Sequence, residues 1–344
     1  MPLPYPSGWF ALAAASELSS QSVLTRRIAG EPYVLFRDSA GRPAAIGAYC
    51  PHLGAHMGHG GCVKGGTLVC PFHGFRFDRG GTCVATGYGT KPPAGARVRS
   101  LPTAESGGWI LAWYDPNEED EPSWTVPVLS EAGWTPLRHH AALLATHPQE
   151  TTENSVDLGH FTFVHGYRDF RMDHFETRGP YLHSRYAFTR PDGFPGFGRN
   201  LRIEISVHVW GLGFSYVDVN IPKTGLLTRQ FVLPTAVSEG RTELRLGMAI
   251  RPAEGARGIT SVLPPWALSR LVAPLAIRHY VRDVMQDRAI WENKIHLARP
   301  MLAPGDGPIG RYRRWCRQFY PGEARASDWP ESNGDQDGVA EREA

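Results

Sequence analysis

Cys50-Pro51-His52 is followed, after seventeen intervening residues, by Cys70-Pro71-Phe72-His73. Two thiols and two imidazoles in this C-x-H…C-x-x-H pattern suit a [2Fe–2S] cluster with the cysteines on one iron and the histidines on the other. Exchanging two thiolates for imidazoles raises the reduction potential to roughly −150 to +300 mV. The same four residue types can hold tetrahedral zinc. The glycines around them, Gly54, Gly58, Gly60, Gly61 and Gly74, favour the cluster. Backbone without a Cβ can bring N–H groups up to sulfur and so tune a cluster.

A second constellation lies about ninety residues on. Asn154, Asp157 and His160 recur at i, i+3 and i+6, which stacks them on one face of a helix. His165 sits about 140° further round at 3.6 residues per turn. Both histidines reach one ion only if the helix ends or distorts between them, and Gly166 is a natural terminator. Two histidines need one carboxylate to complete the triad that leaves open positions for O2 on non-haem Fe(II). Residues 277–297 have helical periodicity through Ile277, Tyr280, Val284, Trp291 and Ile295, and they offer Asp283 and Asp287. At about 100° per residue Asp287 falls nearer the middle of that stripe. A carboxylate facing a core must be paired or bound to metal, so Asp287 is the predicted third ligand. A histidine pair alone is more often structural; a redox cluster in the same chain shifts the balance to metal.

The elements that carry these residues read as two units. Short β-rich segments at 33–36, 44–46, 67–69 and 108–113, separated by Gly, Pro and Asp, predict a small antiparallel β domain with the ligand loops at one end. The acidic, proline-flanked stretch 115–122 predicts a linker. Beyond it, 201–209 alternates with period two, and 214–221 and 244–250 read similarly, predicting an antiparallel sheet with helices. The boundaries expected are 1–117, 118–325 and a disordered acidic tail at 326–344.

The chain has 344 residues, 42% hydrophobic and 20% charged, with a net charge of +2. That describes an ordinary globular protein with room for two cores and gives no reason to expect nucleic acid as a partner. The N-terminus lacks a signal-peptide pattern. The most apolar stretch, 261–281, is interrupted by prolines and arginines, so no transmembrane segment is expected. It reads as a core helix pair or loop rather than a lipid-facing surface. Cys62, Cys83 and Cys316 remain outside the ligand set with no framework spacing, as in a reducing cytoplasm. Neither H-E-x-x-H nor a G-x-G-x-x-G after a strand occurs, so a nicotinamide or flavin would be bound by another protein.

These motifs resemble the Rieske non-haem iron oxygenase α subunits. Cys50-Pro-His-Leu-Gly-Ala-His56 with Cys70-Pro-Phe-His-Gly-Phe-Arg-Phe-Asp78 is similar to the cluster signature, and Glu153-Asn154-x-x-Asp157-x-x-His160-x-x-x-x-His165 to the iron signature. Asp287-Arg-Ala-Ile-Trp-Glu-Asn-Lys294 is similar to the third-ligand helix of the branch with the bacterial 3-ketosteroid 9α-hydroxylase oxygenases and the invertebrate cholesterol 7-desaturases. Phe75 stands where Trp is common and Leu53 where Arg is frequent, and neither change removes a ligand. Respiratory Rieske proteins carry two further loop cysteines and a membrane anchor; here Ala55 and Phe72 neighbour the ligands instead.

The resemblance implies an α+β protein: a small antiparallel β Rieske domain followed by a helix-grip-like catalytic domain. It implies a Rieske [2Fe–2S] cluster on Cys50, His52, Cys70 and His73, a mononuclear Fe(II) on His160, His165 and Asp287, and O2 as co-substrate. It also implies a head-to-tail homotrimer in which Asp157 bridges a neighbour's cluster histidine, His73, to its own His160. Asp157 and, as the weaker candidate, Asn154 are the implied catalytic residues; the alternative for Asn154 is simply to pack or cap. Electrons would come from a separate ferredoxin or flavin reductase. The implied reaction is hydroxylation or desaturation of a hydrophobic, sterol-like or polycyclic substrate. The alternatives are oxidative demethylation or cyclisation of a hydrophobic secondary metabolite, or a Rieske electron carrier with an inert second domain.

Overall fold

The computed structural model describes residues 3–119, 121–194, 198–253 and 265–322. The tail beyond 322, and 261–264 of the apolar stretch, lie outside the described residues. Strand Gly8–Ala14, buried along its whole length, pairs with Trp109–Tyr114, which also pairs with Thr103–Ser106. A four-stranded sheet follows from Leu24–Ile28, Glu31–Arg37, Pro43–Gly47 and Ser100–Leu101. A second one is built from very short strands, Cys62–Lys64, Thr67–Val69, Arg76–Phe77 and Cys83–Ala85. The Cys70–His73 loop is the turn between two of these paired strands, where Leu68 faces Phe77.

The second unit is a seven-stranded antiparallel sheet. Its spatial order is Arg138–Leu144, Arg241–Pro252, Leu226–Ser238, Phe214–Ile221, Leu201–Trp210, Tyr181–Arg190 and Arg168–Arg178. Period-two alternation gives it two faces. Ile203, Ile205 and Val207 point to an inner cavity, whereas Arg202, Glu204, Ser206 and His208 point to the outer face. Part of the outer face is covered by the first unit: Trp9, Trp109 and Trp113 pack with Phe214, Phe231 and Leu233 in one core. The two units therefore share apolar burial and are not beads on a linker. The stretch after Tyr114 is held too, since Trp124 packs against Trp113 and its carbonyl accepts from the Trp9 indole N–H at 2.8 Å.

Helical segments lie over the inner face. The expected helix at 277–297 is corrected at both ends. Helical structure runs through Pro265–Ala267, a π turn at Leu268–Val272, Ala273–Val284, a 3-10 turn at Met285–Asp287 and Arg288–Trp291, and stops there. Ile295 is exposed and not helical; periodicity overran because Trp291 and Ile295 share a spacing but not a structure. The single helix expected through Asn154, Asp157 and His160 is also corrected. Pro148–Thr152 is helical and Glu153–Ser155 forms a 3-10 turn. Asp157 has extended backbone (φ −79°, ψ 106°) and caps a new helix, Leu158–Phe163. Its carboxylate accepts from the His160 N–H at 3.2 Å, a role short acidic side chains fill well at an N-cap.

A buried ionic network ties these pieces together. Glu150 meets Lys294 at 2.6 Å and His296 at 2.7 Å. Glu153 accepts from Arg313 Nε at 2.5 Å and Nη2 at 3.0 Å, and Arg313 Nη1 also donates to the Leu297 carbonyl at 2.6 Å. Tyr312 and Tyr320 hydroxyls donate to Gln149 at 2.8 and 2.7 Å. The network joins the segment that carries the histidines to the chain just after Asp287.

Truncating Glu153 to Ala strands the Arg313 charge in the interior, which should cost about 3–5 kcal/mol in denaturant unfolding. Burial would raise the Glu150 pKa, but the His296 hydrogen bond and the Lys294 charge outweigh it and lower the carboxyl from 4.5 to about 2. A depressed carboxylate stabilises the fold fully above the unfolded value, and that contribution fades as pH falls from 4.5 towards 2. Urea unfolding followed across this window should lose about 3 kcal/mol, and Glu150→Gln should flatten that slope.

Candidate active site

The two cluster loops close in the same way. In the first, Cys50 N–H donates to Ala55 O at 2.9 Å and Gly54 N–H to Cys50 O at 2.9 Å. In the second, Cys70 N–H donates to Phe75 O at 2.8 Å and Gly74 N–H to Cys70 O at 3.1 Å. Each turn needs a left-handed residue four places after its cysteine, supplied by Gly54 (φ 76°) and Gly74 (φ 69°). Gly87 lets the chain pass against the second loop: a Cβ there would come within 2.1 Å of His73 O. The loops bring the His52 and His73 rings to 4.6 Å between centroids, and Phe75 stacks flat on His52 at 4.5 Å.

Two observations fit this set to a cluster. His52 Nδ1 is buried with no hydrogen-bond partner, the state of a nitrogen reserved for a metal. Cys50 and Cys70 are buried side by side, and burial pushes the Cys50 thiol up to about 11. Such thiols ionise only against a cation. Leu53, Phe72 and Tyr88 stand exposed around this tip.

The second donor set converges from two elements. Helix Leu158–Phe163 presents His160 and ends before His165, and Gly166 (φ 68°) turns the chain so that Tyr167 N–H reaches Phe161 O. The ligand nitrogens of both histidines and a carboxylate oxygen of Asp287 lie within 4.8 Å of one another, with His165 Nε2 to Asp287 Oδ2 at 3.4 Å. Each imidazole is oriented through its other nitrogen. His160 Nδ1–H donates to the Asp157 carbonyl at 2.7 Å, and His165 Nδ1–H to Gln286 Oε1 at 2.8 Å. Both Nε2 atoms are thereby left for metal, the arrangement that fixes tautomer and ring direction in metal sites. Burial lowers the His160 pKa against the pull of Asp287 and Asp157, favouring the neutral ligand form.

Asp283, the other carboxylate offered by the helix, is bound to Arg190 by two hydrogen bonds, one of 3.0 Å. Asp287 is buried at 4% exposure. Asn154 Oδ1 accepts from the Trp291 indole at 3.4 Å, so it braces the helix one turn past Asp287 and also lines the cavity. Gln286 and the Arg190–Asp283 pair were not singled out from sequence. An amide beside a buried ligand on the same helix was the available signal for Gln286; the Arg190 pairing joins residues 93 apart and left none.

A cavity of about 580 Å³ opens on His160, His165 and Asp287. Its walls include Ile203, Ile205, Val217, Val219 and Met248 from the sheet and Leu275 from the facing helix.

A [2Fe–2S] donor loop pair and a 2-His-1-carboxylate set opening on an apolar cavity define a Rieske-type non-haem iron oxygenase, an enzyme that uses O2. Residues 8–102 match the Rieske [2Fe–2S] domain model, and residues 112–320 match that of the 3-ketosteroid 9α-hydroxylase C-terminal domain; the chain belongs to this family of oxygenases. Its cofactors are accordingly a Rieske cluster and a mononuclear iron. A cholesterol 7-desaturase of Hemicentrotus pulcherrimus is 30% identical over 93% of this chain and 71% of its own length. A 3-ketosteroid-9-alpha-monooxygenase oxygenase component of Rhodococcus rhodochrous is 27% identical over 92% and 83%. The fold is that of Pseudomonas putida NdmA with caffeine (TM-score 0.67, 21% identity, 90% and 89% covered). It is also that of dicamba monooxygenase with non-heme iron and dicamba (TM-score 0.60, 23% identity, 91% and 96% covered).

Asp287→Ala should purify with the cluster colour but without the mononuclear iron, whereas Asp283→Ala should retain it; iron quantification and the visible spectrum decide. Gln286→Leu should keep the ligands yet weaken iron retention about 10–100-fold under chelator challenge.

Proposed function

We propose that this chain hydroxylates or desaturates a sterol-like or polycyclic hydrophobic molecule, working as a head-to-tail homotrimer. The observation that carries the substrate class is the cavity: at about 580 Å³ it lies within the range of small-molecule sites, its walls are chiefly aliphatic and aromatic, and it ends at the 2-His-1-carboxylate set. The Arg190 charge is matched by Asp283, so the pair leaves no uncompensated charge for an ionic substrate. Leu271 and Leu275 line the cavity and are also 60% exposed, and Trp266 beside them is 62% exposed. That mouth suits an apolar molecule arriving from a poorly aqueous phase.

The mononuclear iron, when held by His160, His165 and Asp287, supplies the activation of O2 with electrons relayed from the cluster. The protein's part is positioning. The sheet presents a rigid, water-poor wall that sets which C–H bond faces the triad. That choice separates hydroxylation from desaturation, and also from oxidative demethylation or cyclisation. The names of the sterol-acting relatives support the sterol reading over those two outcomes.

Two surfaces support the trimer. The cluster tip exposes Leu53, Phe72 and Tyr88, while the iron side exposes Phe163 (91%) and leaves the Asp157 carboxylate about a third exposed at 31%. A neighbour's His73 on that carboxylate would feel His160 through one residue, because the Asp157 carbonyl holds His160 Nδ1. Electrons reach the cluster from a separate ferredoxin or flavin reductase, as the relatives' designation "oxygenase component" suggests. Among the described residues no helix is long and apolar enough to cross a membrane. Cys62, Cys83 and Cys316, which stand outside the cluster set, form no disulfide, in keeping with the reducing cytoplasm proposed as the location.

Reconstituted enzyme supplied with a reductase should convert members of a steroid panel with coupled NADH use; neither product nor NADH consumption would refute the sterol reading. Chains carrying His52→Ala and His160→Ala, inactive singly, should regain activity when coexpressed, because each mixed trimer would then contain one intact cluster beside an intact triad. No recovery in a confirmed mixed oligomer would exclude electron transfer between subunits.

A further inference from the structure

We propose a second metal site, for Zn2+, on the outer face of the catalytic sheet, formed by His174, Glu176 and His183. It is independent of the oxygenase reading. The three residues come from the edge strand Arg168–Arg178 and its neighbour Tyr181–Arg190. His174 and Glu176 are two apart and share a face, and His183 lies directly across the ladder from Glu176. That face is opposite the cavity, since Tyr186 and Phe188 of the same strand point inward.

The ligand atoms are already gathered within 4.8 Å of one another. Glu176 Oε1 stands 3.7 Å from His174 Nε2 and 3.9 Å from His183 Nδ1. Zinc bonds of about 2.0–2.1 Å in tetrahedral geometry imply ligands about 3.4 Å apart, so both imidazoles already stand within about half an ångström of that spacing from Glu176 Oε1. Glu176 Oε2 is taken by Arg178 at 2.9 Å, which leaves Oε1 towards the imidazoles. Side-chain exposures of 31%, 28% and 18% keep the group open to solvent, with a coordination position left for water.

The feature that separates this cluster from a chance meeting of surface side chains is what stands behind His183. Its Nε2 lies 2.9 Å from Ser206 Oγ; Ser206 Oγ lies 3.0 Å from His208 Nε2; and His208 Nδ1 lies 2.7 Å from the Tyr181 hydroxyl. With Nδ1 on the metal, His183 Nε2–H donates to Ser206, Ser206 donates to His208, and His208 Nδ1–H donates to Tyr181. Every member then makes its bond with the proton on the correct side. The His183, His208 and Tyr216 rings stack in a row at 4.6 Å spacings, fixing the ring plane. An oriented imidazole backed by a polar partner is the arrangement that metal ligands use.

The test is equilibrium dialysis of the full, cluster- and iron-loaded chain against ZnCl2, with both metals quantified. One zinc per chain is expected with iron content unchanged, and the same equivalent should persist in a His165→Ala background, where the iron triad is broken. His183→Ala and His174→Ala should each lose it. Ser206→Ala should keep the stoichiometry and weaken binding about 10–100-fold. Zinc uptake that is equal in wild type and His183→Ala, or that disappears with His165→Ala alone, or that is absent altogether, overturns the proposal.

Discussion

The buried pairing of Glu150 and Glu153 with Lys294, His296 and Arg313 is the constraint on which the oxygen-activating site depends. The two histidines and Asp287 lie more than a hundred residues apart in sequence, and Asp287 sits on a helix interrupted by π and 3-10 turns. Apolar packing alone tolerates sliding of such a helix. Charged hydrogen bonds do not, because a displaced partner would leave a desolvated charge behind. The network therefore ties the register of the segment before the two histidines to the chain that follows Asp287. Asn154 adds to the same clamp through Trp291.

The structure divides its tasks between the faces of one sheet. The inner face is aliphatic and shapes the cavity. The outer face supports the first unit where Trp9, Trp109 and Trp113 meet Phe214 and Phe231, and turns polar and histidine-rich beyond that contact. Because alternation along a strand is strict, substitutions one residue apart act on different functions: Ile205 on the cavity wall, Ser206 on the opposite surface.

Histidine orientation is handled differently at each position. His160 is held by the carbonyl of its own helix cap, so it forms wherever that cap forms. His165 depends on Gln286, immediately before Asp287, so the second histidine and the carboxylate are coupled through adjacent residues. At the cluster tip, His52 is positioned by stacking on Phe75 and its Nδ1 has no protein partner. Phe, in place of the Trp common at that position, still supplies the flat face.

Much of this was legible in the chain itself. The cluster loops and the histidine pair are short local motifs, where a few residues dictate loop and helix ends: glycines permit the positive φ that each cluster turn needs, and Gly166 turns the chain just past the second histidine. The strand Leu201–Trp210 was evident from its alternation, because its cavity face is buried and its other face is more open. The strands Arg168–Arg178 and Tyr181–Arg190 went unread, since their exposed histidines and arginines disguise the period. Helix limits misled as well: Ile295 kept the spacing but lost the helix, and Asp157 turned out to be a cap. Only the folded chain shows that Arg190 pairs with Asp283 from 93 residues away while Asp287 lies beside the two histidines. Local sequence governs backbone conformation over a turn or two. Which charges end up paired across a hundred residues is settled by packing, where burial makes an unpaired charge too costly to leave.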